Sequence, residues 1–258
     1  GVWTVSGLIL VSSVFNDAHR IVGELTTESV VSDPDLGLAA DQNDWPSYGR
    51  SHYGQRYSPL DQITPANVAE LELAWEYQTG DLKGPEDVNE TTYEATPLKI
   101  GNSLFLCTPH NWLVALDADT GKEQWVYNAK VPAESQRQHQ TCRGVSYLAP
   151  VGEPATNNTA IVLSQTASVP AETLAPVRCE AQLFMPTSDA RLIAVDPQTG
   201  ARCSNFANNG VLDLMHNMPF SQKGYYYATS PPVVTADLVV VAGAVNDNYD
   251  IDSPSGVI

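Results

Sequence analysis

The chain has 258 residues, of which 43% are hydrophobic and 17% are charged, a composition that excludes an intrinsically disordered polymer and predicts a folded domain. Thirteen basic residues against 30 acidic ones give a formal net charge of -17, which excludes nucleic acid and anionic membrane surfaces as favoured partners. This excess of acidic residues is typical of a solvated surface and by itself indicates no substrate.

The first fifteen residues, GVWTVSGLILVSSVF, carry no charge. This run is shorter than the roughly 20 residues that a spanning helix needs, and it lacks the basic leader of a secretory signal. We expect residues 1–15 to be the end of a transmembrane helix, with a buried or interfacial helix as the alternative. Residues 16–43 are polar and acidic, which predicts a linker before a globular part that begins near Asp44.

From residue 44 onward the apolar runs are short and are bounded by Gly, Pro, Asn and Asp, a pattern typical of β-strands. In chain order the runs are LELAWEYQT, ATPLKI, GNSLFLCT, WLVALD, EQWVYN, AQLFMPT, ARLIAVD, PPVVTA and LVVVAGAV. Helical periodicity is scarce apart from the N-terminal run and a stretch around 64–71. The sequence therefore predicts an all-β chain of short antiparallel strands.

One signature occurs twice, as ALDADTGKEQW from Ala115 and as AVDPQTGARCS from Ala194. In both copies of A-x-D-x-x-T-G we expect the Asp to cap the turn and the Gly to adopt a positive φ. Trp125 of the first copy is expected to anchor its strand against a neighbouring unit, whereas the second copy has Ser204 there. Repeated four-stranded units with a turn signature favour a β-propeller, whose stacked sheets bury both faces, over a β-sandwich.

The four cysteines are Cys107, Cys142, Cys179 and Cys203. None belongs to a CxxC pair, which argues against a structural zinc site. Two disulfides in an oxidising compartment and buried free thiols both remain open from the sequence.

Several segments together resemble the pyrroloquinoline quinone (PQQ)-dependent dehydrogenases. The segment NDWPSYGRSHYGQRYSPLDQITPANVAELELAWEYQTGD resembles their opening, and most of all that of the membrane-bound glucose/quinate/shikimate group. The A-x-D-x-x-T-G-x-x-x-W segment resembles their tryptophan docking motif, and TCRGVSY, TSPPVV and AGAVNDNYD follow in the same order. The resemblance covers Asp44 to Ile258.

The resemblance implies an eight-bladed β-propeller that carries PQQ and a divalent metal, Ca²⁺ or Mg²⁺, on its axis. This chain would hold about the first three blades, preceded by a membrane-spanning region to which the apolar start belongs. Because Gly1 is not an initiator and the chain stops in what reads as the start of a strand, we expect a piece of a longer protein. We expect such a piece alone neither to close the ring nor to be active.

The resemblance also implies which residues contact the cofactor. Arg143 in TCRGVSY is expected to bind a PQQ carboxylate through its guanidinium, and Glu94 in YEATPLKI matches a position that hydrogen-bonds PQQ. His110 in CTPHNW stands where glucose-type enzymes carry a His beside the cofactor, and could orient substrate or contact PQQ. Thr187 in FMPTSD is a further polar candidate. The plainer interpretations are a surface arginine, a solvated glutamate and an ordinary turn histidine.

AVNDNYD matches the family's metal-binding segment. Asp247 with its neighbour Asn248 would supply oxygen ligands, which hard cations prefer, although the same string also suits an Asx turn. Ala244, Val245 and Asn246 would bring backbone to the cofactor.

Two further points concern the cysteines and the catalytic base. Cys142, beside Arg143, could pair with Cys179, and Cys107 is interpreted as a packing residue. The family's catalytic aspartate base lies beyond the last residue of this sequence, so no base can be assigned within it.

The sequence thus favours an enzyme: a PQQ-dependent dehydrogenase that oxidises a sugar or cyclic polyol by hydride transfer to PQQ and passes electrons to ubiquinone. Its place would be the bacterial inner membrane, with the propeller in the periplasm. The alternative is a non-catalytic propeller scaffold like the outer-membrane assembly lipoproteins. A soluble alcohol dehydrogenase is disfavoured by the single Cys of TCRG and by the apolar start. The identity of the substrate cannot be read from the sequence.

Overall fold

The computed structural model describes residues 43–51, 54, 56–87, 90–132, 139–150, 170–218, 221, 224–235 and 237–245. The expected transmembrane segment lies outside these residues, and so does the expected linker apart from Asn43. Asn246, Asp247 and Asn248 also lie outside them. Within the described ranges, no helix has the length and apolar character needed to cross a bilayer.

The described part of the chain is almost entirely β-structure, with only two short 3₁₀ helices at Val68–Glu70 and Ala171–Thr173. Its strands are β1 (Glu90–Thr91), β2 (Leu98–Ile100), β3 (Ser103–Cys107), β4 (Trp112–Asp117), β5 (Glu123–Asn128), β6 (His139–Gln140), β7 (Ser146–Leu148), β8 (Gln182–Pro186), β9 (Arg191–Val195), β10 (Val211–Asp213), β11 (Tyr226–Tyr227), β12 (Val233–Val234), β13 (Val239–Val240) and β14 (Ala244–Val245).

Two four-stranded antiparallel sheets dominate the structure. The first has the order β2-β3-β4-β5 and the second the order β7-β8-β9-β10, so each is a simple meander of consecutive strands. Shorter pairs join β1 to β6 in parallel, β11 to β14 and β12 to β13 in antiparallel. The prediction of an all-β chain built from four-stranded units is confirmed.

The first sheet buries both of its faces. On one face Leu113 and Ala115 belong to a core that contains Leu183 of the second sheet. On the other face Val114 and Leu116 belong to a separate cluster. Burial on both faces explains why WLVALD is a continuous apolar run and not an alternating one, because each residue meets protein on its own side.

The second sheet repeats this arrangement. Its Ile193 faces the core that is shared with the first sheet, while Phe184 and Ala194 face a cluster that contains Val234 and Val241. The outer face of a sandwich sheet carries polar residues, so burial on both faces argues against the β-sandwich and favours the stacked sheets of a propeller.

Both signature turns have the expected geometry. Asp117 Oδ1 accepts hydrogen bonds from the backbone N–H and the hydroxyl of Thr120, at 2.8 and 2.7 Å. Asp196 Oδ1 accepts the same two bonds from Thr199, both at 2.9 Å. The capping role predicted for the Asp of the signature is therefore confirmed in both copies.

Each signature turn receives a tryptophan from the preceding segment. Trp125 Nε1 donates to the Pro197 carbonyl at 3.2 Å, and a Cβ added to Gly200, at φ +71°, would lie 2.7 Å from the Trp125 ring. A Cβ on Gly121, at φ +67°, would likewise lie 2.4 Å from the Trp75 ring. The glycine therefore serves the turn and also makes room for the indole. The docking predicted for Trp125 is confirmed.

Trp75 was not predicted to dock, although AWEY at 74–77 parallels QWVY at 124–127. The prediction that LELAWEYQT forms a strand is wrong, because the structure assigns no strand to residues 71–79. Trp75 and Tyr77 pack instead against a face of the first sheet, and the Tyr77 hydroxyl donates to Glu123 Oε2 at 2.6 Å. The apolar side chains of this segment cover a sheet face, so its backbone need not join a ladder.

The cysteines form two disulfides, Cys107–Cys142 and Cys179–Cys203, with Cα–Cα distances of 5.9 and 5.3 Å. The expected Cys142–Cys179 pairing is wrong, and Cys107 is not a packing thiol. Val177 forms a parallel bridge with Cys203, which places Cys179 beside that residue. Of the alternatives left open by the sequence, two disulfides is the correct one.

We expect Gly200→Ala to lower the free energy of unfolding by about 2–4 kcal/mol, from left-handed backbone strain and from overlap with the Trp125 ring. Gly101→Ala is the matched control, because its φ is +56° and no atom of the described residues lies within 4 Å of the added Cβ. That control should cost only about 1–2 kcal/mol. Urea unfolding measures both variants, and equal losses would contradict the docking role.

Candidate functional site

The polar residues of interest gather at the end of the sheets opposite the signature turns. We call this the site end and define it by the loops and turns at 91–96, 108–111, 140–144 and 187–190. Asn111 Oδ1 accepts from the Ser188 backbone N–H and hydroxyl at 3.0 and 2.8 Å, which ties the two turns together. Gln140 Nε2 donates to the Pro109 carbonyl. Segments far apart in the chain are therefore held side by side.

Arg143 is a fixed but accessible cation at the site end. Its Nε donates to Glu94 Oε2 at 2.7 Å and its Nη1 to the Thr229 hydroxyl at 2.8 Å. Its backbone N–H donates to the Thr229 carbonyl at 2.8 Å, and its carbonyl accepts from the Thr96 N–H at 3.0 Å. The Arg143 and Glu94 side chains remain 45% and 40% exposed. Nη2 takes part in none of these contacts, and the side chain is exposed, so Arg143 can still donate to an anionic ligand.

The pKa of Glu94 lies below the ordinary glutamate value. The hydrogen bond from Arg143 is the main cause, partial burial opposes it, and a hydrogen bond from the Thr92 hydroxyl at 3.0 Å assists. Glu94 is therefore ionised at neutral pH and balances the charge of Arg143. The structure thus brings together two residues that the sequence placed 49 positions apart.

His110 lies between two buried carboxylates. Its Nδ1 contacts Asp81 Oδ1, and its backbone N–H donates to Asp81 Oδ2 at 2.8 Å. Its Nε2 lies 3.0 Å from Asp87 Oδ1, while Asp87 Oδ2 accepts from the Gly84 N–H at 2.5 Å. The side chains of Asp81 and Asp87 are only 2% and 5% exposed. Both ring nitrogens of His110 are therefore already engaged by the protein.

The pKa of His110 is raised above the ordinary histidine value. Burial lowers it, but the hydrogen bonds to Asp87 and Asp81 together outweigh the burial. The imidazolium is the form that these contacts favour, and it is lost as the pH rises through the raised pKa.

His110 also lines an open cleft of about 360 Å³. The cleft combines carboxylates, a lysine, an amide and an indole, and its lining residues are Gly80, Asp81, Leu82, Glu86, Asp87, His110, Trp112, Asn128, Lys130 and Val131. Asp81 and Asp87 were not predicted from the sequence. Only the short acidic string GDLKGPED marks them, and such a string usually indicates a solvated loop.

Three buried side-chain oxygens near Arg143 have no hydrogen-bond partner among the described residues: Thr91 Oγ1, Gln140 Oε1 and Thr141 Oγ1. Thr91 and Gln140 are register partners of the β1–β6 pair, so these groups lie close together. Buried polar groups normally have a partner, so this cluster can accept the polar groups of a ligand or ordered water. With Arg143 as an exposed cation, the site end suits an anionic ligand.

Thr187 is fully buried in the turn between β8 and β9. Its hydroxyl donates to Asp189 Oδ1 at 2.6 Å and accepts from the Arg191 N–H at 3.0 Å. The hydroxyl is thus committed to its own turn, and a contact between Thr187 and a cofactor stays a prediction.

The remaining predicted residues lie at or beyond the last described strand. Ala244 and Val245 form β14, which pairs with Tyr226–Tyr227 of β11. Asn246, Asp247 and Asn248 lie outside the described residues. In the part of the chain that the structure describes, no group of three or more His, Cys, Asp or Glu side chains could hold a metal ion. The proposed metal ligands therefore stay a prediction.

The Cys107–Cys142 disulfide connects the parts of the site. Cys107 ends β3, three residues before His110, and Cys142 directly precedes Arg143. Sequence spacing could not reveal this pairing, because it depends on how the first sheet stands beside the 140–144 loop.

Residues 45–258 match the protein family described as "PQQ: Glucose/ethanol/alcohol dehydrogenase, beta-propeller domain". This chain belongs to the PQQ β-propeller family. Membership confirms the resemblance that was drawn from the sequence motifs and the prediction of a propeller of this type.

Named relatives within the family are substantially similar to this chain. Quinoprotein glucose dehydrogenase A of Acinetobacter calcoaceticus is 43% identical over 97% of the chain, and quinoprotein glucose dehydrogenase of Escherichia coli (strain K12) is 43% identical over 98%. Quinate/shikimate dehydrogenase (quinone) of Acinetobacter baylyi is 36% identical over 85%. The matches cover 30%, 30% and 26% of these relatives, so the chain spans less than a third of their length.

A crystal structure of quinohemoprotein alcohol dehydrogenase from Comamonas testosteroni shares the fold. It has a TM-score of 0.56 and 22% sequence identity, and the match covers 84% of this chain and 26% of that one. At this identity the likeness concerns the fold alone.

We expect the carboxyl group of Glu94 to titrate below the ordinary glutamate range, because its ionised form accepts from Arg143. The ion pair contributes its full stability above the unfolded-state pKa of Glu94. That contribution is lost as the pH falls through the folded-state pKa. Arg143→Gln should raise the pKa of Glu94 more than Thr92→Val, which removes only the weaker hydrogen bond. Carboxyl ¹³C NMR titration measures both variants, and the reverse order would contradict the assignment.

Removing either disulfide by a double alanine substitution should cost about 3–4 kcal/mol of unfolding free energy, since the bonded cysteines are 35 and 24 residues apart. Only loss of the Cys107–Cys142 disulfide should accelerate hydrogen exchange at the Thr96 N–H, which donates a hydrogen bond to the Arg143 carbonyl. Loss of Cys179–Cys203 serves as the matched control. Equal acceleration in both variants would mean that the first disulfide has no special role at the site.

Proposed function

We propose that this chain forms part of a PQQ-dependent dehydrogenase that oxidises a sugar or cyclic polyol of the glucose or quinate/shikimate type. Similarity along almost the whole chain to proteins named quinoprotein glucose dehydrogenase supports the proposal. The observation that carries it is Arg143, a cation held in place by Glu94 and Thr229 and still open to an anionic ligand.

The residues present fit PQQ, which is a tricarboxylate quinone. The planar guanidinium of Arg143 suits a carboxylate, and its Nη2 makes none of the hydrogen bonds to Glu94 and Thr229. When bound, PQQ accepts a hydride from the carbon that carries the substrate hydroxyl.

The metal is proposed to be Ca²⁺ or Mg²⁺, held by oxygen ligands from Asp247 and Asn248. Ala244, Val245 and Asn246 are proposed to bring backbone groups to the cofactor. His110 is proposed to orient the substrate and not to act as the base, since carboxylates engage both of its ring nitrogens.

The proposed setting is the periplasmic face of a bacterial inner membrane, with ubiquinone as the electron acceptor. The two disulfides support an oxidising compartment, because such bonds rarely persist in a reducing cytosol. The alternative, a non-catalytic propeller scaffold, requires no cofactor and no exposed, fixed cation.

The test is to reconstitute the full-length protein with PQQ and Ca²⁺ or Mg²⁺. Dye reduction is then followed with glucose, quinate, shikimate and simple alcohols. We expect metal- and PQQ-dependent reduction with a sugar or cyclic polyol, and removal of the metal by a chelator should abolish it. Absence of both PQQ binding and dye reduction would favour the scaffold.

Arg143→Ala should weaken PQQ binding roughly ten- to a hundredfold, the value of a hydrogen-bonded charge. The affinity of Arg143→Lys for PQQ should lie between those of the wild type and Arg143→Ala, because lysine keeps the charge and lacks the planar fork of the guanidinium. Arg178→Ala, at an exposed arginine outside the site end, is the matched control and should bind PQQ as the wild type does. Unchanged affinity in Arg143→Ala would overturn the assignment.

A further inference from the structure

The two carboxylates around His110 determine which form of the ring fits the structure. A neutral imidazole has one N–H donor and one lone pair. With Asp81 at Nδ1 and Asp87 at Nε2, a neutral ring would point its lone pair at the oxygen of one of these two side chains. Only the doubly protonated ring can donate to both partners at once.

The two carboxylates are also fixed by the backbone. Asp81 accepts from the ring and from the backbone N–H of His110 itself, and Asp87 accepts from the Gly84 N–H. Both side chains are almost fully buried, so their charges need a counter-charge in direct contact. His110 is the cation that contacts both side chains, and it compensates one of the two charges.

No other charged group of the cleft takes the place of His110 beside Asp81 and Asp87 among the described residues. Lys130 is 68% exposed and pairs with Glu172 at 3.0 Å. Glu86 is exposed and lines the same cleft, but it makes no contact with the ring among the described residues. Asp81 also raises the pKa of the Tyr93 hydroxyl, though burial is the larger cause.

We propose that Asp81 and Asp87 are positioning residues that hold the imidazole of His110 as a fixed, doubly hydrogen-bonded cation at the cleft. In this state the ring has no lone pair with which to accept a proton. It acts on a substrate through its fixed position, and removal of the hydroxyl proton is left to another group. The inference rests on the proposed dehydrogenase function only for its kinetic consequence.

The structural part is tested by NMR on the full-length protein carrying ring-¹⁵N-labelled histidine, with His110→Gln to assign the signal. We expect both ring nitrogens of His110 to be protonated up to a pH above the ordinary histidine pKa of about 6.5. Asp81→Asn and Asp87→Asn should each lower the pKa of His110. Glu86→Gln removes one negative charge from the same segment without removing a ring contact, and it should leave the titration unchanged.

The kinetic part uses kcat/KM of the reconstituted enzyme as a function of pH. In the wild type, kcat/KM should fall as the pH rises and His110 loses its proton. Asp81→Asn and Asp87→Asn should move that fall to lower pH and reduce kcat/KM roughly tenfold at neutral pH, as expected for a misplaced orienting group. Thermal unfolding identifies a variant that has not folded, and the wild-type NMR titration tests the proposal without any variant.

Two results would overturn the inference: a ring nitrogen of wild-type His110 that is unprotonated below the ordinary pKa, or a Glu86→Gln effect as large as that of Asp81→Asn. Failure of the proposed function is distinguishable. An inactive protein whose His110 ring is still doubly protonated would remove the dehydrogenase assignment and leave the positioning contacts intact.

Discussion

The contact between a tryptophan ring and the glycine of the following signature turn fixes the positions of neighbouring sheets relative to each other. No side chain fits between Trp125 and Gly200, so the distance between the first and second sheets is set at that end. The Asn111–Ser188 hydrogen bonds set it at the other end. Between the two ends the sheets meet through apolar side chains that tolerate little displacement. The site end is therefore positioned by packing that is remote from its own polar residues.

The two ion-pair groups of the site differ in their relation to solvent. The Arg143–Glu94 pair is nearly half exposed, so it adds little to stability and can exchange one partner for a ligand carboxylate at small cost. Asp81 and Asp87 are buried around His110, and losing one partner there would leave an uncompensated charge. The first group is suited to recognition of an anion, and the second is suited to holding one ring in one state.

The fold was predictable because its determinants are local. The A-x-D-x-x-T-G turns and the continuous apolar runs can be read within about a dozen residues.

The disulfide partners could not be predicted, because the pairing of Cys142 with Cys107 depends on which strand end lies beside which loop. Asp81 and Asp87 were missed for a related reason: nothing near them in sequence indicates that a histidine more than 20 residues away will lie between them. The segment 71–79 was mistaken for a strand because apolar content does not distinguish a strand from a segment that covers a sheet face.

The main-chain position of Arg143 does not depend on its ion pair. Its backbone bonds to Thr96 and Thr229, and the Cys107–Cys142 disulfide fixes the residue before it. Because the main chain is held independently, Glu94 is free to change partner without releasing the guanidinium from the site. A cation whose main chain is fixed, and whose side chain is held by a hydroxyl and an exposed carboxylate, is preorganised for a ligand, since little ordering remains to be done when an anion arrives. The same disulfide ends three residues before His110, so the recognition group and the fixed ring share one covalent support.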